Sequence, residues 1–389
     1  MSMEMNELFY REPYLKEFDS VVLTCEESKQ GYVITLEDTL FYPEGGGQPC
    51  DFGTLNAIDV IDVQRKNDIV YHTVKEEIPV GTKVHGIIDW KRRFDHMQNH
   101  TGEHIVSGII NKHYGYENVG FHMGDVIQID MSGPLTWEQL MLVEQEANEV
   151  IYSNVPVEIT YPTKEELEKI PYRSKKELIG KVRIVTIGDA DICACCGTHV
   201  AYTGEIGLVK ILSVIKHKDG VRIEMLSGNR ALEFLRKEHE EAQHISQALS
   251  AKVLEIDQAV DKLLVSNDQL YLQKKNMADI LLEQKINIYE EGASFVLDFE
   301  EGMERTSLVN FADKMLKEKN IGTVAICNQE RQGYSYIILS QSLNLRDYVK
   351  ELNTSLNGKG GGKPDIIQGS FQANKEEIKN VLLKTFTNM

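Results

Sequence analysis

The sequence predicts a multidomain α+β protein with an N-terminal small β barrel, an α+β domain, a long helical hairpin or coiled coil, and a C-terminal α/β domain. Three observations carry this expectation. Short β-rich segments broken by Gly, Pro and Asp fill residues 1 to 90. Strand-like and helical segments alternate over 91–231 and again over 291–389. The intervening stretch, 232–290, is nearly free of Gly and Pro. A chain of 389 residues is long enough for several separate cores.

The barrel segments are "VVLTC", "GYVITLE", "DVIDVQ", "IVYHTV" and "VHGIIDW". In "FDHMQNHTGEHIVSGIINKHYG" the apolar Met97, Ile105 and Ile109 recur at helical spacing, and Gly115 suits a helix C-cap. "DVIQIDM" reads as a strand, and Thr136 with Glu138 and Gln139 reads as the start of the next helix. "PVEITYP" and "VRIVTIG" are further strands around the helical "TKEELEKI". From Leu249 through Val253, Ile256, Val260, Leu263, Asn267, Leu270, Lys274 and Met277 to Leu281, steps of four and three trace a heptad seam with Asn267 and Lys274 at a-type positions. A helical hairpin within the chain and a coiled coil use the same spacing. The C-terminal segment alternates again, with strands at "ASFVLDF", "GTVAICN" and "YSYIILSQ" and helices at "SLVNFADKMLKEKN", "LRDYVKEL" and "EEIKNVLLKTF". "NGKGGGKPD" reads as a loop by composition.

Composition narrows the function. Apolar residues at 42% and charged residues at 26% are those of a globular protein. No leader-like or membrane-spanning apolar run occurs, so a cytoplasmic protein is expected. The net charge of −18 opposes non-specific attraction to nucleic acid, so an RNA partner needs a local basic surface. Candidates are Lys91 to Arg93, Tyr172 to Arg183, Ile215 to Arg222 and Asn357 to Lys363. Among six cysteines, Cys193, Cys195 and Cys196 lie too close together for ordinary disulfides among themselves and point to metal binding or chemistry.

His100 and His104, four apart on one predicted helix face, form half of a zinc site. Cys195 and His199, also four apart, supply a second half, with Cys193 and Cys196 as alternative thiolates. A zinc protease helix needs its general-base Glu directly after the first His, and that position is Thr101. Glu103 is expected to be an exposed helix carboxylate. Upstream, "FYPEGGGQPCDFG" places Gly45, Gly46 and Gly47 before Gln48, a run whose N–H groups can approach a ligand closely. No Lys-Ser or Lys-Thr follows it, which argues against a nucleoside-triphosphate loop.

In this order, "FYPEGGGQP", "RRFDHMQNHTGEH" and "CCGTHV" resemble the editing domain of alanyl-tRNA synthetases and their free-standing relatives, the AlaX proteins. "SGNRAL" and "GKGGGKPD" extend the resemblance to the long AlaX form, whose C-terminal domain is similar to one found in DHH-type phosphoesterases. The resemblance implies one zinc ion per chain held by His100, His104, Cys195 and His199, with Gly45 to Gln48 beside the amino-acid pocket as the catalytic group. The family's common pattern has Gly-Gly-Thr-His after the cysteine, and Cys196 here replaces the first of those glycines. The α+β domain is then a zinc-containing editing domain. The implied activity is hydrolysis of mischarged alanine tRNA, with serine and glycine as the misattached amino acids. With the chain starting at the barrel, no aminoacylation domain is expected, and the reaction runs in trans. tRNA-body binding by the helical and C-terminal segments, and homodimerisation through them, are further implications. No Asp-His-His cluster supports a phosphoesterase. A non-catalytic zinc-containing tRNA-binding protein is the competing reading.

Overall fold

The computed structural model describes residues 7–174 and 182–387. Residues 175–181, part of the basic stretch Tyr172 to Arg183, lie outside them. The chain divides into two compact units, 1–242 and 243–389.

In the first unit, a short helix α1 (Leu8–Arg11) precedes six strands: β1 (Glu17–Ser28), β2 (Gly31–Leu36), β3 (Gly53–Leu55), β4 (Ile58–Lys66), β5 (Ile69–Val74) and β6 (Lys83–Ile88). They close into a barrel in the order β1-β2-β5-β4-β3-β6. Alternate residues face inward, as in β6, where Val84, Gly86 and Ile88 are buried between exposed neighbours. The three-residue β3 escapes a pattern search because it is too short to show a period.

Helix α2 (Trp90–Tyr114) follows directly. Asp89 caps its N-terminus by accepting from the Arg92 N–H at 3.1 Å, and Gly115 ends it at φ 70°. Every residue from His96 to Ile110 is buried, so α2 runs through the interior instead of lying on one face. That depth requires close backbone approach. A Cβ at Gly102 would sit 2.2 Å from the Ser227 Oγ.

Around α2 lie β7 (Asn118–Met123), β8 (Ile127–Met131), α3 (Trp137–Tyr152), β9 (Val157–Thr160), α4 (Lys164–Leu167), β10 (Ile184–Ile187) and β11 (Asp191–Ala194). A 3-10 turn at Thr203–Ile206 leads to β12 (Val209–His217), β13 (Gly220–Ser227) and α5 (Gly228–Leu249). Thr136 and Gln139 form a reciprocal capping box at the start of α3. The strands make a three-stranded sheet, β11-β10-β9, and a four-stranded sheet, β12-β13-β8-β7. The "SGNR" segment is fixed to α2: Ser227 N–H donates to Asn99 Oδ1 at 3.0 Å, and Arg230 Nε donates to both Asp95 oxygens at 3.0 and 2.8 Å.

The second unit departs from the expected continuous seam. Leu249 ends α5, Ser250 takes a left-handed conformation (φ 52°), and Val253 lies in a 3-10 turn before α6 (Ile256–Ile286) begins. The stripe of α6 that packs is Ala278, Leu282 and Ile286, whereas the seam residues Leu263, Leu270, Met277 and Leu281 are each more than half exposed. The seam and the buried stripe are therefore different faces of one helix.

Next come β14 (Phe295–Glu301), α7 (Arg305–Glu318), β15 (Thr323–Gln329), β16 (Tyr334–Ser340), α8 (Arg346–Ser355), β17 (Lys359–Gly362), β18 (Ile366–Phe371) and α9 (Lys375–Thr387). Their sheet runs β14-β15-β16-β18-β17. Val324 and Ile326 join the core on one face, with α6 and α7, while Ala325 and Cys327 join the core on the other, with α8 and α9. The "GKGGG" segment, expected as a loop, is the edge strand β17 paired with β18. Glycine is needed there because a Cβ at Gly360 would lie 2.1 Å from the Tyr336 hydroxyl.

A buried ion pair links α2 to the barrel. Arg93 and Asp51 are both fully buried, and the guanidinium also donates to the Leu40 carbonyl. The same Asp51 oxygen accepts from the Tyr42 N–H at 2.7 Å, which holds the chain just before the glycine run. Replacing Arg93→Ala leaves Asp51 as an uncompensated buried charge and is expected to cost about 3–5 kcal/mol. The check is the shift in urea midpoint of the full-length protein.

Candidate metal centre and its cavity

His100 and His104 stand on the same side of α2, one turn apart. The loop after β11 brings Cys195 and His199 to them. One ligand atom from each of the four residues falls in a group whose members all lie within 4.8 Å of one another. Cys195 Sγ is 3.5 Å from His100 Nε2 and 3.4 Å from His199 Nε2.

The outer hydrogen bonds decide what these nitrogens present. Thr198 N–H can only donate, so the Gln48 side-chain atom 3.0 Å from it is the amide oxygen. His100 Nδ1 lies 2.9 Å from that oxygen and must carry its proton there. Thr101 Oγ donates to the Met97 carbonyl at 2.8 Å and accepts from the Val200 N–H at 3.2 Å. It therefore accepts also from His199 Nδ1, at 3.1 Å. Both Nε2 atoms are left as lone-pair donors aimed at a sulfur. His104 Nδ1 meets Asp191 Oδ2 at 2.8 Å, and Arg173 Nε donates to the other Asp191 oxygen at 2.8 Å. Each imidazole is thus oriented through its Nδ1, the arrangement typical of metal-ligating histidines.

Electrostatics point the same way. Burial works against ionisation of Cys195, but His100, His104 and His199 together hold its thiol well below the usual thiol range. Burial also works against charge on His104, yet the Cys195 and Cys193 sulfurs raise it well above the ordinary imidazole value. His199 is pushed down to about 3, chiefly by burial. A thiolate facing imidazole lone pairs in a largely buried site calls for a cation, and a proton and a metal ion compete for that role. The donor set, one sulfur and three nitrogens, is among those that hold zinc.

Of the other cysteines, Cys193 lies with His104 and Asp191, its thiol raised to about 11, chiefly by burial. Cys196 is exposed, and its carbonyl accepts from the hydroxyls of Tyr10 at 2.8 Å and Tyr42 at 3.2 Å. The tightness of the loop depends on Gly197, where a Cβ would fall 2.0 Å from the His100 ring. Arg183 holds the loop from behind, donating to the Cys195 carbonyl at 2.8 Å.

Gly45 and Gln48 close a tight turn through mutual N–H to carbonyl bonds of 3.1 and 3.0 Å, with Gly46 and Gly47 at φ 62° and 85°. The turn sends the Gln48 side chain into the interior, fully buried, where its amide nitrogen donates to Thr198 Oγ1 at 2.9 Å. Gly46 and Gly47 line a cavity of about 520 Å³ together with His100, His104, Cys195 and Phe121. Phe121 stacks on the His100 ring at 5.2 Å.

Glu103 is not the exposed carboxylate expected from its sequence position. It is 3% exposed and lines this cavity, because α2 is buried on all sides. Asp191, Arg173, Thr198 and Phe121 were not legible as site residues, since none stands at a ligand spacing. Only "DICACC", with Asp191 two residues before a cysteine, carries a faint acidic signal near the metal group.

Three family models match the chain. Residues 12–92 match the class II (A) tRNA synthetases, residues 182–224 the threonyl and alanyl tRNA synthetase second additional domain, and residues 292–388 the DHHA1 domain. Alanyl-tRNA editing protein AlaX-L of Pyrococcus horikoshii is 30% identical, covering 97% of this chain and 97% of its own length. Alanyl-tRNA editing protein Aarsd1 of Mus musculus is 29% identical over 93% of each chain. An alanine–tRNA ligase of Methanococcus maripaludis is 31% identical over 97% of this chain but only 43% of the ligase. With sequence similarity along nearly the whole length of both proteins, this chain belongs to the family of alanyl-tRNA editing proteins of the AlaX-L type.

Proposed function

We propose that the protein is a trans-acting aminoacyl-tRNA deacylase that hydrolyses the ester of mischarged alanine tRNA, with seryl-tRNA(Ala) as a substrate and glycyl-tRNA(Ala) as a second one. The observation that carries this reading is the convergence of Gly46, Gly47 and three members of the metal group, His100, His104 and Cys195, on one cavity. Its volume, about 520 Å³, is in the range of small-molecule sites and suits an aminoacyl group with its terminal ribose.

We assign one zinc ion to His100, His104, Cys195 and His199. A tetrahedral zinc with Zn–S of about 2.3 Å and Zn–N of about 2.0–2.1 Å sets sulfur and nitrogen about 3.5 Å apart, close to the 3.5 and 3.4 Å separations here. When bound there, zinc would supply fixed positive charge at the cavity wall. The remaining work falls to the chain and the substrate. The Gly46 and Gly47 backbone at the cavity edge meets the ester carbonyl and offers N–H groups to its developing charge. Gln48, buried behind them, acts through His100 and Thr198, fixing the ligand and the loop. A water in the cavity adds to the carbonyl carbon. The vicinal ribose hydroxyl of the substrate relays the proton that this water loses to the ribose oxygen that leaves as the ester C–O bond breaks, which frees the amino acid and the tRNA.

Selection against alanine follows from polarity. A pocket that hydrogen-bonds the serine hydroxyl leaves its own polar groups unpaired around alanine, at about 1–3 kcal/mol per group. Glycine enters on size. The C-terminal domain, 291–389, is assigned to the tRNA body, with exposed Lys359, which begins β17, and Lys363, which follows it, as phosphate contacts. The exposed seam of α6 is assigned to self-association, and the tRNA-editing role places the protein in the cytoplasm.

Purified protein incubated with Ser-, Gly- and Ala-charged tRNA(Ala) is expected to release serine and glycine and to spare alanine. Release of none of the three would sink the reading in favour of a non-catalytic tRNA-binding protein. Cys195→Ala is expected to lose both bound zinc, measured by elemental analysis, and deacylation; activity retained in zinc-free variant protein contradicts the assignment. In sedimentation equilibrium the wild type is expected to dimerise and the Leu263→Glu/Leu270→Glu variant to be monomeric. A wild-type monomer at tens of micromolar rules out self-association through α6.

A further inference from the structure

We propose that Phe121 sets the upper size limit of the amino-acid pocket, so that glycyl and seryl esters are admitted and esters branched at Cβ are excluded. The inference rests on the deacylase reading above and deepens it, since polarity acts against alanine whereas the ring acts against bulk.

Phe121 is the largest apolar side chain among the described residues that line the cavity. Strand β7 delivers it. Phe121 pairs with Ile129 of β8, and two residues further on the Met123 N–H donates to the Gly47 carbonyl at 3.2 Å, which ties the strand to the glycine turn. The ring itself is held from two sides. It stacks on the His100 imidazole, with centroids 5.2 Å apart and planes 30° from parallel. It also packs on the turn so closely that a Cβ at Gly47 would fall 2.5 Å from Phe121 Cδ1 and 3.2 Å from Cε1. Phe121 therefore fills the space between the Gly47 backbone and an imidazole of the metal group, both of which line the cavity. An ester whose carbonyl meets the N–H groups of Gly46 and Gly47 has its α-carbon one bond from that carbonyl carbon, and so beside the ring. Close packing makes such a wall selective by size. A side chain too large for the remaining space must displace a ring that is backed by His100 and tied through β7 to the turn. Threonine isolates this limit, because it carries the hydroxyl of serine and one methyl more.

The test uses tRNA(Ala) charged with serine or with threonine by an acylating ribozyme, and divides each rate by the uncatalysed hydrolysis of the same ester. The wild type is expected to favour the seryl ester about 10- to 200-fold in kcat/KM, the range that one extra carbon commands in a close-fitting pocket. In Phe121→Ala that preference is expected to fall to within about threefold, through a rise in threonyl hydrolysis, with zinc content unchanged. A ring that only held His100, or that met the ribose, would change both rates together and leave their ratio where it was. An unchanged ratio in Phe121→Ala overturns the proposal, as does a wild type that hydrolyses both esters alike. Should Phe121→Ala not fold or lose its zinc, Phe121→Leu, which keeps an apolar side chain against His100 without the ring, decides the question: a reduced seryl preference supports the proposal and the wild-type preference overturns it. A wild type inactive on both glycyl- and seryl-tRNA(Ala) refutes the deacylase reading itself.

Discussion

His100, His104, Cys195 and His199 offer ligand atoms within 4.8 Å of one another, the three histidines buried and the sulfur partly so, a grouping that a cation would stabilise, and much of the first unit is arranged to keep them there. Two of these side chains come from one buried helix and two from one tight loop. The histidines are aimed by Gln48, Asp191 and Thr101, which come from the barrel, from β11 and from α2 itself. Replacing any of these partners frees an imidazole to rotate, so the metal group depends on three separate elements being correctly placed at once.

The same requirement explains the buried polar groups farther out. The Arg93 to Asp51 pair fixes α2 against the segment that begins the glycine run, and Gln48 at the end of that run reaches back to His100. The glycine loop and the histidines of α2 are therefore tied together by hydrogen bonds within residues 42 to 51 and 93 to 104. Under the proposed function such bonding suits a site that distinguishes amino acids differing by one hydroxyl. A pocket that could relax around the wrong substrate would forfeit the cost of unpaired polar groups on which selection depends.

Much of this architecture was legible in the sequence, because period and spacing are local signals. The alternation in "VHGIIDW", the capping residues at Thr136 and Gln139 and the paired four-residue spacings of His100, His104, Cys195 and His199 each require only near neighbours to interpret. What escaped depends on contacts distant in the chain. Glu103 looks like a solvated carboxylate until β7 is packed over it, and the "GKGGG" run looks like a loop until β18 pairs with it. Asp191 lies 87 positions from the histidine it orients and belongs to no motif. The heptad seam shows the opposite failure. Its spacing is regular from Leu249 to Leu281, but Ser250 breaks the helix, and a different stripe of α6 carries the packing.

The claim on which the account turns is the composition of the metal group, and X-ray absorption at the zinc edge of the purified protein measures it directly. The proposed zinc site predicts one sulfur at about 2.3 Å and three nitrogens at about 2.0–2.1 Å. A shell with two sulfurs, bringing in Cys193 or Cys196, or one in which oxygen replaces an imidazole, would contradict it.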